Sequence, residues 1–196
     1  QHFLYHLKEG GTAGYVMANG AMTTNTIGEK EVRQKLVDDH YIDCIVQLPE
    51  KLFFTTGIPC CLFFLSKNRN GSKGYRQRQN EILFIDARKM GSLVSRRQKA
   101  FSKEEIEKIA NAYHEFRNIG GKLVEEAGFT KVATTEQVIG NAYKLTPGIY
   151  VGTAQVDEDD IPYEEKMEEL TNILRDQFID SSILQEKILR DLEGLV

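Results

Sequence analysis

Three sets of side chains in this sequence have the types and spacing for chemistry. His2 and His6 stand four apart, the separation of two metal-binding imidazoles on one helix face. With no carboxylate or Cys near enough to complete a ligand set, they read as surface residues. Cys44, Cys60 and Cys61 all sit inside apolar runs. An odd count, an adjacent pair and no C-x-x-C argue against a disulfide framework or a zinc site and for buried free thiols in a reducing compartment. The third set is aromatic. Phe53 and Phe54 fall in the small polar loop of LPEKLFFTTGIPCCLFFLSK, residues 48–67. Loops are normally short and polar, so one holding two large apolar rings is usually a working part. Residue type alone favours the other reading, in which both rings plug the core.

The elements that must position this loop follow from periodicity. Residues 41–48 (YIDCIVQL) and 58–66 are apolar runs bounded by Gly, Pro and Lys, the pattern of strands buried on both faces. Residues 1–8 read as the end of a helix stopped by Gly10-Gly11, and Thr12–Ala18 as a short apolar strand. Residues 29–40 form an amphipathic helix with Val32, Leu36 and Val37 inward. Strand, helix, strand predicts parallel strands joined by a crossover. The strand at 58–66 returns after a loop without a helix and is expected to be antiparallel. Residues 81–87 (EILFIDA) are a further strand, and 90–100 a basic loop. Ser102 and Glu105 form a capping box for a helix to about Asn118, with Ile106, Ile109, Ala110, Tyr113 and Phe116 on its apolar face. A short helix is expected over 134–141, then a Pro-Gly turn at 145–151. The tail is helical from Pro162. Met167, Leu170, Leu174, Leu184, Ile188 and Leu195 lie near a/d spacing, Gln177 and Ser181 interrupt the seam, and Ser182 could cap a second helix. The fold class is thus α/β. The organisation is 1–100 an α/β unit, 101–151 a helical closing segment, and 152–196 an acidic docking tail.

Composition is that of a soluble globular chain, 41% hydrophobic and 28% charged. No apolar run approaches a membrane span, and no secretory signal is expected. Net charge is −4 but unevenly spread. Residues 67–99 hold ten Lys/Arg against two acids; residues 151–196 hold thirteen acids against four bases. Such asymmetry suits a chain with one surface for a polyanion and another for something else, or simply two solvated surfaces.

Several dissimilar motifs occur in a fixed order: GGTAGYVMANG at the start, E-x-x-V-R-Q-K-L, then IDCIVQLPEKLFFTTGIPCCLFFLSK, then ILFIDAR. In this order they resemble the modification subunit of type I restriction–modification systems, over roughly residues 1–151. That family transfers a methyl group from S-adenosylmethionine to the exocyclic amine of adenine in DNA. The resemblance implies the C-terminal half of a doubly wound, Rossmann-like sheet, with the strand at 58–66 inserted between Thr12–Ala18 and 41–48, antiparallel to both. The family's acidic-aromatic-Gly cofactor loop and its Asn-Pro-Pro-Phe/Tyr tetrapeptide are absent. No catalytic or cofactor-binding residue therefore carries over, and the chain alone is expected neither to bind the cofactor nor to methylate DNA.

What carries over is the loop after Leu48-Pro49, where an aromatic of the family faces the flipped adenine. Phe53 is the first choice and Phe54 the second, the other being left as core. Lys67, Arg69, Lys73, Arg76 and Arg78 become candidates for contacts to the backbone of double-stranded DNA, with a solvated loop as the plainer account. The implied partners are a specificity subunit, met by the tail, and a restriction subunit, in the cytoplasm. The alternative is a non-catalytic docking module that pairs with a specificity subunit. A chain lacking the first strands of such a sheet leaves the outer edge of Thr12–Ala18 bare, to be covered by a second copy, by the N-terminal helix at residues 1–8 or by the tail helix folding back, and a homodimer through that strand is the favoured cover.

Overall fold

The run Ile42–Gln47 is buried along its whole length, and the sheet is assembled on it. In the computed structural model, which describes residues 1–71, 74–153 and 163–193, the elements are α1 (His2–His6), β1 (Thr12–Ala18), α2 (Glu29–Asp38), β2 (Ile42–Gln47), β3 (Cys60–Ser66), β4 (Glu81–Asp86), β5 (Ser92–Ser95), β6 (Gln98–Ala100), α3 (Lys103–Arg117), β7 (Thr130–Thr134), α4 (Thr135–Gly140) and α5 (Tyr163–Glu193). The chain divides into two units, Gln1–Gln155 and Val156–Val196.

In the first unit one mixed sheet has the order β1-β3-β2-β4-β7. β3 lies between β1 and β2 and is antiparallel to both, as expected, while β4 runs parallel to β2 on its other side. β1, β2 and β4 therefore share one direction, and their carboxyl ends, Ala18, Gln47 and Asp86, lie at one end of the sheet.

Both faces are covered. On one, Ile42, Ile45, Phe63, Leu65, Ile82 and Phe84 pack with Val37 of α2 and Val138 of α4. On the other, Cys44, Val46, Leu83 and Ile85 pack with Ala112, Tyr113 and Phe116 of α3. Each such buried aliphatic or aromatic side chain contributes about 1.5–3 kcal/mol over its exposed state. Strict alternation would send Ile42 and Ile45 to opposite faces. They share one because the β2–β3 register shifts between Ile42 and Cys44, a bulge that leaves Asp43 as the extra residue.

Four expectations need correction. The segment 101–151 is not purely helical, because β7 joins the same sheet antiparallel to β4. Residues 90–100 are a β-hairpin, β5 paired with β6, and not a loop. Ile106 is exposed, so the buried stripe of α3 begins at Ile109. In the second unit α5 is one uninterrupted helix of 31 residues, about 46 Å long at 1.5 Å per residue. Ser182 caps nothing; its hydroxyl donates to the carbonyl of Phe178 within the helix. Met167, Leu170, Leu174, Leu184 and Ile188 are exposed on it. Pro162 and Leu195 lie outside the described residues. Among those described, no helix is long and apolar enough to cross a membrane.

Candidate functional site

The end of the sheet where β2 and β4 terminate carries the Phe loop. Leu48 N donates to Cys60 O at 2.9 Å, closing the base where β2 leaves and β3 enters. Inside the loop Lys51 takes a positive φ of 63°, which reverses the chain without a glycine. Phe53 bridges Thr56 across a tight antiparallel turn, and Ile58 N donates to Thr56 Oγ1. Leu52 packs inward against the α3 face of the sheet. Neither phenylalanine is core: Phe53 is 38% and Phe54 90% exposed. The expectation that one ring would plug the interior is corrected here, because Leu52 already fills that place and the turn swings both rings outward.

Beside the loop stand groups that sequence reasoning missed. Gln47, the last residue of β2, is buried, and its Oε1 has no hydrogen-bond partner. Asp86, the last residue of β4, holds Arg88 by paired bonds, Nε to Oδ1 at 2.9 Å and Nη2 to Oδ2 at 2.6 Å. This carboxylate raises the Arg88 pKa. The β5–β6 hairpin follows directly, and Lys99 N donates to Lys51 O at 2.8 Å, fastening the hairpin to the Phe loop. The signal in the sequence was an acid-free run of cations, Arg88 to Lys99, around the Arg96-Arg97 turn.

Of the cationic candidates at 67–78, Lys67, Arg69, Arg76 and Arg78 lie at the opposite end of the sheet, where β3 leaves it. Arg69 and Arg78 are buried, 3% and 1% exposed, and are not available to a phosphate. Arg78 grips Asp43 bidentately, Nε to Oδ1 and Nη2 to Oδ2, both at 2.8 Å. Tyr113 Oη donates to the same carboxylate at 2.7 Å, and Arg69 Nε lies 3.4 Å from Oδ1. Arg69 further donates to the carbonyls of His40, Arg78 and Glu81. Burial lowers the Arg69 pKa to about 10, with Asp43 opposing the fall, and burial followed by Asp43 raises that of Tyr113. Arg76 lies over the Phe116 ring, donates to its carbonyl and pairs with Glu81 at 2.7 Å. Lys67 Nζ donates to Leu7 O at 2.8 Å. Two of the five candidates are thus structural and two more are already engaged; Lys73 lies outside the described residues.

On the α2 face of β1 and β3 a cleft of about 720 Å³ is lined by Phe3, Tyr15, Met17, Val32, Leu36 and Phe63, with Glu29 and Arg33 at its polar side. His2 and His6 are exposed, and among the described residues no group of three or more potential metal ligands occurs. Cys44, Cys60 and Cys61 are free thiols; burial pushes Cys44 up and Cys61 to about 12.

A family model described as N-6 DNA Methylase matches residues 1–159. The type I restriction enzyme HindI methylase subunit of Haemophilus influenzae is 39% identical over 195 residues, covering all of this chain and 42% of that protein. The MjaIX methylase subunit of Methanocaldococcus jannaschii is 35% identical, over 99% of this chain and 34% of its own length. Among solved structures, the type I restriction-modification system methyltransferase subunit from Streptococcus thermophilus superposes with a TM-score of 0.65 at 30% identity, over 78% of this chain and 29% of that one. The chain spans less than half the length of these relatives.

Proposed function

Because the chain belongs to the N-6 DNA methylase family and is similar to type I restriction enzyme methylase subunits, we propose that it forms the base-pocket half of an adenine-specific DNA methyltransferase. The methyl donor of the complete subunit is S-adenosylmethionine, and the acceptor is the exocyclic amine of an adenine flipped from duplex DNA. In this reading the five-stranded sheet is the C-terminal half of a doubly wound sheet. Sequence reading belongs to a specificity subunit, met through α5, and cleavage to a restriction subunit, all in the reducing cytoplasm that suits free thiols.

The observation that carries this reading is the pair Phe53-Phe54, exposed on a loop that backbone bonds hold firmly at its base. An exposed ring has no stability reason to sit there; an adenine face stacked on it would repay part of the cost of unstacking. In the complete subunit with its specificity subunit, Phe53→Ala or Phe54→Ala should weaken methyl transfer by roughly 1–3 kcal/mol while leaving cofactor affinity unchanged. Full activity in both variants would remove the rings from the site.

The described residues do not fit a whole cofactor site. After β1 the chain passes through a 3-10 turn, Asn19–Met22, and a loop before α2, where a cofactor cradle would turn tightly on glycines into a helix. The β1 cleft offers mainly apolar side chains. The groups that hold the cofactor then come from elsewhere in the complete subunit, and this chain's part is to stack and orient the base.

β1 stands at the edge of the sheet, and its outer side is the seat of the subunit's remaining strands. In the isolated chain a second copy takes that seat through Thr12–Ala18. Light scattering that rises from monomer to dimer mass with concentration supports the pairing; monomer at every concentration refutes it.

A further inference from the structure

We propose that the β5–β6 hairpin is the phosphate clamp that holds duplex DNA while the neighbouring Phe loop receives the base; this rests on the reading above. Between Arg88 and Ser102 the chain has five cations and no acid. Arg88 is taken by Asp86, but no ion pair joins Lys89, Arg96, Arg97 or Lys99 to a carboxylate among the described residues. Arg96 and Arg97 form the exposed turn of the hairpin.

The hairpin is fixed rather than free. Both anchors hold its base: Glu105 Oε1 of α3 accepts Gly91 N at 2.7 Å before β5, and Lys51 O accepts Lys99 N at 2.8 Å on β6. The second bond joins it to a residue two positions before Phe53. A held hairpin presents its charges in one place, so they can set the register of a polyanion without reading its sequence. Leu93 and Val94 are 61% and 60% exposed on the same hairpin. Apolar side chains beside a cationic turn suit a groove wall, where sugar and phosphate alternate. An unoccupied pair of arginines at the end of the sheet that carries the Phe loop is a better phosphate site than the 67–78 stretch, whose arginines are spent on Asp43 and Glu81.

The test is the salt dependence of duplex binding by the complete subunit assembled with its specificity subunit, read by fluorescence anisotropy on a labelled duplex. Replacing both arginines (Arg96→Gln with Arg97→Gln) should weaken binding alike for cognate and non-cognate duplexes. It should also lower the slope of log K against log salt by about 2, one unit for each cation removed. Lys35→Gln, on the last turn of α2 at the other end of the sheet, should leave the slope unchanged. An unchanged slope in the double variant, with Phe54→Ala still lowering methyl transfer, overturns the clamp and keeps the proposed function. A double variant that loses its specificity subunit on gel filtration, with the slope intact, makes the hairpin a protein contact and also overturns it. Failure of the parent complex to bind DNA overturns both.

Discussion

Two stretches of this chain are equally basic and have opposite fates. Residues 67–78 carry five cations, and so do 88–99. In the first, Arg69 and Arg78 are drawn into the protein by a single buried carboxylate, Asp43 at the β2 bulge, with Tyr113 of α3 donating to the same group. In the second, among the described residues only Arg88 finds a carboxylate, and Arg96, Arg97 and Lys99 stand on a hairpin whose backbone is anchored while its charges are not. The difference lies in what the fold places opposite, not in the count of charges. A buried carboxylate must be paired, and it recruits whichever cation the chain can deliver. Cations with no such demand on them stay available to a partner.

The comparison breaks most readily at Asp43. Asp43→Ala leaves two buried guanidiniums facing each other without their counter-charge, and should cost about 3–5 kcal/mol of stability, read as a fall in the urea midpoint. Tyr113→Phe removes one hydrogen bond to the same carboxylate and should cost less, about 1.5–3 kcal/mol. The Arg96/Arg97 double variant should change the stability by no more than about 0.5 kcal/mol for each substitution, as surface changes do. If it destabilises as much as Asp43→Ala, the hairpin is structural too and the contrast disappears.

The sequence foretold the centre of the sheet better than its margins. The long apolar runs of β2 and β4 are buried on both faces and that of β3 on one face and half-buried on the other, and all three read directly as strands. The antiparallel insertion of β3 came from the family resemblance, since periodicity carries no strand order. β7 was hidden because TKVAT has no sustained apolar pattern; it adds to the sheet by backbone pairing at an edge. The β5–β6 hairpin was hidden because SLVS is exposed throughout, and a strand without a buried face has no period to see. In the site, the Phe loop was legible but the partition of its rings was not, because Leu52 outcompetes both for the interior. The ion cluster had left one trace: an Asp inside the apolar strand YIDCIV is a demand for a buried partner, which two arginines of the 67–78 stretch supply.

The smallest effect tests how the second stretch is held. Glu105 accepts hydrogen bonds from the backbone N–H groups of Gly91 and Ser102, so it anchors the hairpin and closes the capping box of α3 together. Those two bonds hold its pKa below the ordinary 4.5. A folded value depressed below the unfolded one gives a contribution that is complete above the unfolded pKa and is lost as pH falls through the folded value. Below about pH 4.5 the Gly91 anchor should therefore weaken while the sheet persists, and the Gly91 amide resonance should titrate with Glu105. In Glu105→Gln the acceptor oxygen remains but the charge does not, so the same resonance should stay flat over that range. A Gly91 resonance that titrates equally in both proteins assigns the change to another carboxylate. One that is flat in both means that the Lys99–Lys51 bond and the strand pairing hold the hairpin without help from α3.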